Sequence, residues 1–232
     1  MALTIASWNM QGGSFKTDVG KAAHLESFMS AGFGCICVQE ATEPLPSFDM
    51  LKETNHTGSI QIFSTQSPHL PSSSYSCCFT SWGEENNRCS MAIYAKQIKW
   101  YETVFYSSEA RPMLLVDLGG CLVGNVHLTS GNPREALKEF IRYKNYIMSR
   151  SRKLPSFIVG DFNMDWDFIS ARLFKDQYKF HHADTPTHQS GSILDYVYCG
   201  NPDMNIQVHV SDVRYSDHFS VWATISNEIK CL

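Results

Sequence analysis

The sequence predicts an α/β protein in which one β-sheet packs on another and a few helices cover the outside. Three observations point there. About a dozen short runs are rich in β-branched, aromatic or cysteine residues and are bounded by Gly, Pro, Asn or Ser. Only two segments carry a strong helical pattern. No repeat, linker or low-complexity block divides the 232 residues, and 43% hydrophobic content is ample for a core, so residues 1–232 read as one domain.

Taken in order, the expected strands are Leu3–Trp8, Gly34–Val38, Ile60–Ser64, Tyr75–Thr80, Ser90–Ala95 and Ile98–Tyr106. They continue with Met113–Leu118, Cys121–Val126, Phe157–Val159, Leu194–Cys199, Ile206–Val210 and Ser220–Ile225. Helices are expected over Asp18–Ser30 and over Pro133–Ser149, where proline suits the first helical position because its missing N–H is not needed there. A shorter helix is expected near Asp165–Phe174, with Asp165 as its cap, and Ser67–Ser74 reads as a surface loop.

Composition excludes several classes. A net charge of -4 and a pI near 6.1 do not suit a protein that coats nucleic acid, so any polyanion contact must be local. The helix Pro133–Ser149 offers one such place, since Arg134, Lys138 and Arg142 recur at four-residue spacing on one face and Arg150, Arg152 and Lys153 follow. Eight scattered cysteines, with no Cys-x-x-Cys pair, read as buried thiols in a reducing compartment rather than as a zinc site or disulfide framework. Cys231 is a candidate tether to a partner, with a spare thiol as the simpler reading. No apolar run reaches the roughly 20 residues of a membrane span. The N-terminus lacks the basic and apolar regions of a signal peptide, so the chain is expected to be cytosolic as encoded.

Isolated acids, amides and imidazoles sit at the strand ends: Asn9, Glu40, Asn125, His127, Asp161, Asn163, Asp195, Asp217 and His218. A loop at a strand end can aim a side chain while the sheet holds it rigid. Any one of these residues is more simply a turn former, a cap or a surface group. Together they supply hard oxygen ligands suited to Mg²⁺ and histidines suited to proton transfer, the parts that metal-assisted phosphate-ester hydrolysis requires. Other nucleophile schemes fail. There is no Gly-x-Ser-x-Gly elbow, and "GGSFKTDVGKA" departs from a phosphate-binding loop at Phe15 and Ala22.

In order, "SWNMQGGS", "VQE", "NVHL", "GDFN", "LDYVY" and "SDHFSV" resemble the endonuclease/exonuclease/phosphatase superfamily, whose fold is that of deoxyribonuclease I. Within it the chain is most similar to the catalytic subunits of cytolethal distending toxins. That likeness rests on Trp8–Gly12, Val38–Ala41, Asn87–Ile93, Arg111 with Pro112, and Thr185–Tyr196. The resemblance implies a four-layer α/β/β/α sandwich of two packed mixed or antiparallel sheets. It implies Mg²⁺, with Mn²⁺ or Ca²⁺ as substitutes in vitro, held by Glu40 with Asn9 and Asp161. His218, oriented by Asp217, would activate water. His127, steered by Asp195, would serve the scissile phosphate or leaving oxygen. Asp161 and Asn163 would position the phosphoryl group, and Arg88, Arg111 and Asn125 would bind substrate phosphates.

The activity so implied is nicking of duplex DNA, contacted through its backbone, by a genotoxin or effector subunit. Delivery into a host cell, companion subunits and action in the nucleus come with the same resemblance. Phosphoinositide phosphatase activity is the alternative. Against it, the Pro-Ala-Trp-Cys-Asp-Arg block of inositol polyphosphate 5-phosphatases is missing, and Phe219 stands where those enzymes place lysine. A catalytically inactive binding protein is the third reading, but no motif position is lost. "GDFNMDWD" matches the base-excision endonucleases poorly.

Overall fold

The computed structural model describes residues 2–54, 60–65, 75–81, 90–107, 110–151, 154–201 and 203–227. The chain begins with β1 (Leu3–Asn9), α1 (Val19–Ser30), β2 (Cys35–Gln39), β3 (Phe48–Thr54), β4 (Ile60–Thr65), β5 (Ser76–Thr80) and β6 (Met91–Ala95). Next come β7 (Trp100–Val104), β8 (Met113–Asp117), β9 (Leu122–His127), α2 (Pro133–Ser151), β10 (Ser156–Asp161) and α3 (Trp166–Arg172). It ends with β11 (Phe180–His181), β12 (Asp195–Cys199), β13 (Met204–Val210) and β14 (Val221–Asn227).

One sheet has eight strands in the order β13-β14-β1-β2-β6-β5-β4-β3, and the other has six in the order β11-β12-β10-β9-β8-β7. Both are mixed. In the first, β1 and β2 run parallel between antiparallel neighbours; in the second, β9 and β10 do the same.

Three buried layers separate the elements. Leu25, Phe28 and Met29 of α1 pack on Ala6, Trp8, Ile36 and Val38, the outer face of the larger sheet. Phe140, Tyr143 and Ile147 of α2 and Ile169 of α3 pack on Val126, Ile158, Tyr196 and Tyr198 of the smaller one. Between the sheets lie Ile5, Ile93, Leu114, Val123, Phe157 and Val159, with Cys35, Cys37, Cys78, Cys121 and Cys199 among them. The order is α/β/β/α. Cysteine acts there as a small hydrophobe where two sheets approach, and the six described cysteines are all buried and free.

Most expected elements form within a residue or two. Asp18 caps α1 by accepting from the Lys21 amide, and Asp165 caps α3 by accepting from Phe168. Two strands were not expected. β3, "FDMLKET", has little β-branched content and owes its form to pairing with β4, with a register shift between Met50 and Lys52. β11 is two residues long and exists through its pairing with β12. The expected loop Ser67–Ser74 and residues Asn87, Arg88, Cys89, Arg152, Lys153 and Cys231 lie outside the described residues. Among the described residues no helix is long and apolar enough to cross a membrane.

Candidate active site

Side chains alternate across a strand, so every second residue of each central strand faces the other sheet. The inward row of β1 is Ile5, Ser7, Asn9, and that of β2 is Cys35, Cys37, Gln39. In β9 it is Val123, Asn125, His127, and in β10 Phe157, Val159, Asp161. Antiparallel β12 reads backwards as Cys199, Val197, Asp195. Each row is apolar at one end of the sandwich and polar at the other. Register aligns the polar ends: Asn9 lies opposite Gln39, and Asp161 lies opposite both His127 and Asp195.

One level below the mouth, a polar seam joins the sheets. Asn125 donates to the carbonyls of Val38 and Ala92, each at 3.0 Å, and accepts from the Gln39 amide at 2.7 Å. Gln39 also donates to Ser7 at 3.1 Å. The expectation that Asn125 binds substrate phosphate is therefore corrected. It is fully buried, and both ends of its amide are engaged across the sheets.

At the mouth, Asn9 Nδ2 donates to Asp161 Oδ2 at 3.0 Å and lies 3.4 Å from Glu40 Oε1. The same two carboxylate oxygens stand 3.6 and 3.7 Å from His127 Nε2. His218 Nε2 approaches Asp161 Oδ2 at 3.4 Å, while its Nδ1 bonds Asp195 Oδ2 at 2.9 Å. Ser216 fastens the His218 loop to β1, since its hydroxyl contacts the carbonyls of Asn9 and His218 and accepts from the His218 amide.

Arg111 donates to His127 Nε2 and, at 3.2 Å, to the Leu128 carbonyl, which Asn163 Nδ2 also reaches at 2.8 Å. Arginine only donates, so His127 carries its proton on Nδ1, which has no partner among the described residues. Gln11, Glu40 and Asn163 follow β1, β2 and β10 with φ of 55°, 56° and 50°. Three non-glycine residues in the left-handed region at one rim are strain of the kind that gathers at functional sites.

Two assigned pairings change. Asp195 holds His218, not His127, whose ring meets Arg111 instead. Asp217 does not bond the His218 ring. Neighbours in extended chain point to opposite sides, and its Oδ2 stands 3.7 Å from Nε2 of His188, a residue not singled out from the sequence. The His188 ring packs against that of His218 at 4.7 Å. A β-bridge between the two residues sets this contact, which local sequence does not reveal. Arg88 lies outside the described residues. Arg134, Lys138 and Arg142 on α2 are exposed as expected, though Lys138 pairs with Glu135 at 2.9 Å and Arg142 lies over the Tyr106 ring.

Burial dictates the electrostatics. It raises Asp161 to about 7, with the neighbouring Asp195 charge adding to the rise and His218 opposing it. His127 is pushed well below its ordinary 6.5 by burial, then by Arg111 and His218, and stays neutral. For His218 burial works downward, but Asp195 and then Asp161 and Asp217 outweigh it and lift the ring to about 9. Asp161, Asp195 and His218 bring one ligand atom each within 4.8 Å of one another. The oxygens of Glu40 and Asp161 that converge on the Asn9 amide suit a hard divalent cation, while the Asn9 oxygen accepts from the Gln11 amide at 3.0 Å. The residues fit such an ion.

The sequence model of the Endonuclease/Exonuclease/phosphatase family matches residues 6–218. A crystal structure of the Haemophilus ducreyi cytolethal distending toxin is 21% identical, with a TM-score of 0.79 over 95% of this chain and 97% of that one. The toxin from Actinobacillus actinomycetemcomitans is 20% identical, with a TM-score of 0.82 over 95% and 97%. A structure of CdtB, the biologically active subunit of cytolethal distending toxin, is 19% identical, with a TM-score of 0.82 over 95% and 96%. At these identities the likeness is one of fold. Among curated proteins none matches the sequence. The family match over nearly the whole chain agrees with the four-layer sandwich and its polar rim, and the chain belongs to the Endonuclease/Exonuclease/phosphatase family.

Proposed function

We propose that the protein is a Mg²⁺-dependent phosphodiesterase that nicks duplex DNA, as a genotoxin or effector subunit would. The observation that carries this reading is the Asp195–His218 pair facing His127 and Arg111 across Asp161. Asp195 fixes the His218 ring through Nδ1 and leaves Nε2 to take a proton from water. Part of the lift on His218 comes from Asp161, so positive charge at that carboxylate brings the ring toward the range where it can accept. His127, neutral and gripped by Arg111, faces the place where the phosphoryl oxygens and leaving group would lie. Arg111 offers a planar donor fork to those oxygens. Asn163, pinned by the Leu128 carbonyl, borders the same spot. Glu40 and Asp161 would hold the cation, with Asn9 aligning the two carboxylates beside it, and the ion would supply Lewis-acid neutralisation of the phosphoryl charge.

Duplex DNA is supported by the likeness to toxin subunits and by the exposed row Arg134, Lys138, Arg142 on the helix that follows the His127 loop. The test incubates the protein with supercoiled plasmid and, separately, with phosphoinositides, each with Mg²⁺ and with EDTA. His127→Ala and His218→Ala should each lose at least about 100-fold in nicking. Nicking that survives both substitutions sinks the mechanism. Lipid dephosphorylation that outpaces nicking replaces DNA by phosphoinositide.

A further inference from the structure

We propose that His188, Asp217 and His218 form a second cation site that takes a borderline transition metal, Zn²⁺ before others, and that filling it silences the enzyme. One ligand atom from each of the three lies within 4.8 Å of the other two. The frame is rigid. His188 and His218 are bridge partners, with the Phe219 amide donating to the Thr187 carbonyl at 2.8 Å and the Gln189 amide to the Asp217 carbonyl at 2.9 Å. The two imidazoles therefore face each other across a β-bridge, and Asp217 sits next to one of them in the chain.

Both rings are oriented for ligation. Nδ1 of His218 is held by Asp195 at 2.9 Å, and Nδ1 of His188 meets the Ser190 hydroxyl at 2.7 Å and accepts from the Ser190 amide at 3.1 Å. The carboxylate partner leaves Nε2 of His218 as the ligating atom, the arrangement by which an outer oxygen fixes the tautomer of a metal-binding histidine. The two Ser190 contacts at Nδ1 leave Nε2 of His188 as its open nitrogen, which gives up its proton on binding the metal. Nε2 of His188 is 3.7 Å from Asp217 Oδ2, and Nε2 of His218 is 3.4 Å from Asp161 Oδ2. Zinc bonds of about 2.0–2.2 Å to nitrogen and oxygen require only a small closure of these groups. Two nitrogens and one carboxylate suit zinc, whereas Mg²⁺ prefers the oxygen donors at Glu40 and Asp161. His188 and Asp217 also keep solvent exposure, with side chains 20% and 21% accessible, and His188 opens on the groove lined by Pro186, Gln189, Arg214 and Phe219.

The two sites share His218. A metal on its Nε2 occupies the lone pair that would accept the proton of water, so this half of the inference rests on the functional reading above. The binding half does not.

The test is a Co²⁺ titration followed by its visible d–d absorption, run in EDTA-stripped protein carrying Cys89→Ser and Cys231→Ser to remove thiol competition. One equivalent should bind, and His188→Ala and Asp217→Asn should each weaken binding by about 10-fold or more, the scale on which even outer partners of a metal site act. Absence of binding, or undiminished affinity in either variant, overturns the site. In parallel, Zn²⁺ is titrated into the Mg²⁺-supported hydrolysis, each variant being compared with its own zinc-free rate. Inhibition should require correspondingly more Zn²⁺ in His188→Ala, and inhibition at an unchanged concentration overturns the silencing. A protein that binds Co²⁺ through these residues but hydrolyses neither substrate refutes the functional reading and leaves the site standing. Hydrolysis without the Co²⁺ site does the reverse.

Discussion

Asn125 shows how a side chain at the right end of a strand can belong to the scaffold rather than to the chemistry. Replacing it with alanine removes its bonds to the carbonyls of Val38 and Ala92 and to the amide of Gln39. Each lost hydrogen bond costs about 0.5–1.5 kcal/mol. We expect a clear drop in the denaturant midpoint, with substrate affinity in the remaining folded protein near that of the parent; a stable variant with weakened substrate binding would restore the phosphate role. His218 allows a second test, on pH. Its ring gains proton affinity on folding, so its contribution to stability is whole below the ordinary 6.5 and is lost as pH rises through about 9. In EDTA, the melting-temperature gap between the parent and His218→Gln should be widest near about pH 6 and narrow by about pH 9.5. A gap that stays flat would mean that the Asp195–His218 pair carries no such charge. Residue types at strand ends were legible in the sequence, and so was the capping role of Asp165. Partnerships were not. That Asp195 serves His218 and Asp217 faces His188 follows from strand register and a β-bridge between distant segments.

At the scale of elements, the parallel pair β9–β10 brings His127 level with Asp161, and it depends on Gly160. There φ is 146°, and a Cβ would lie 2.0 Å from the Val126 carbonyl oxygen. No side chain fits without moving backbone. Gly160→Ala should destabilise by about 2 kcal/mol or more, combining overpacking with backbone strain. Because the disturbance falls between the two catalytic candidates, activity should fall further than the folded fraction. A variant with parental stability and rate would show that the pairing tolerates a shift. Elements with strong periodicity, such as α2 and the central strands, were readable because burial on one face writes the pattern. β3 was not, since its pairing with β4 supplies what its composition lacks. The polar ends of the inward rows were also readable in retrospect: Ile5-Ser7-Asn9 and Phe157-Val159-Asp161 each turn polar at the last step of a period of two.

For the whole molecule, the sandwich closes an apolar layer shared by both sheets at one end and holds a cluster of carboxylates at the other. The shared layer leads us to expect one cooperative unfolding transition. The cluster is the weak point of that arrangement, because burial and the neighbouring Asp195 charge raise Asp161 further than the facing His218 lowers it. A cation that binds only the folded state must then raise its stability by mass action. At 100 times its dissociation constant Mg²⁺ adds about 2.7 kcal/mol. For a chain of this length each kcal/mol moves the melting temperature by about 2–4 °C, so a rise of about 5–11 °C is expected. Glu40→Gln removes one of the two converging carboxylate charges and should abolish most of that rise while leaving the metal-free melting temperature near or above that of the parent, since like-charge crowding is relieved. Differential scanning calorimetry with EDTA and with Mg²⁺ reads both quantities on one sample. An equal Mg²⁺-dependent rise in Glu40→Gln would place the stabilising cation away from this end of the sandwich.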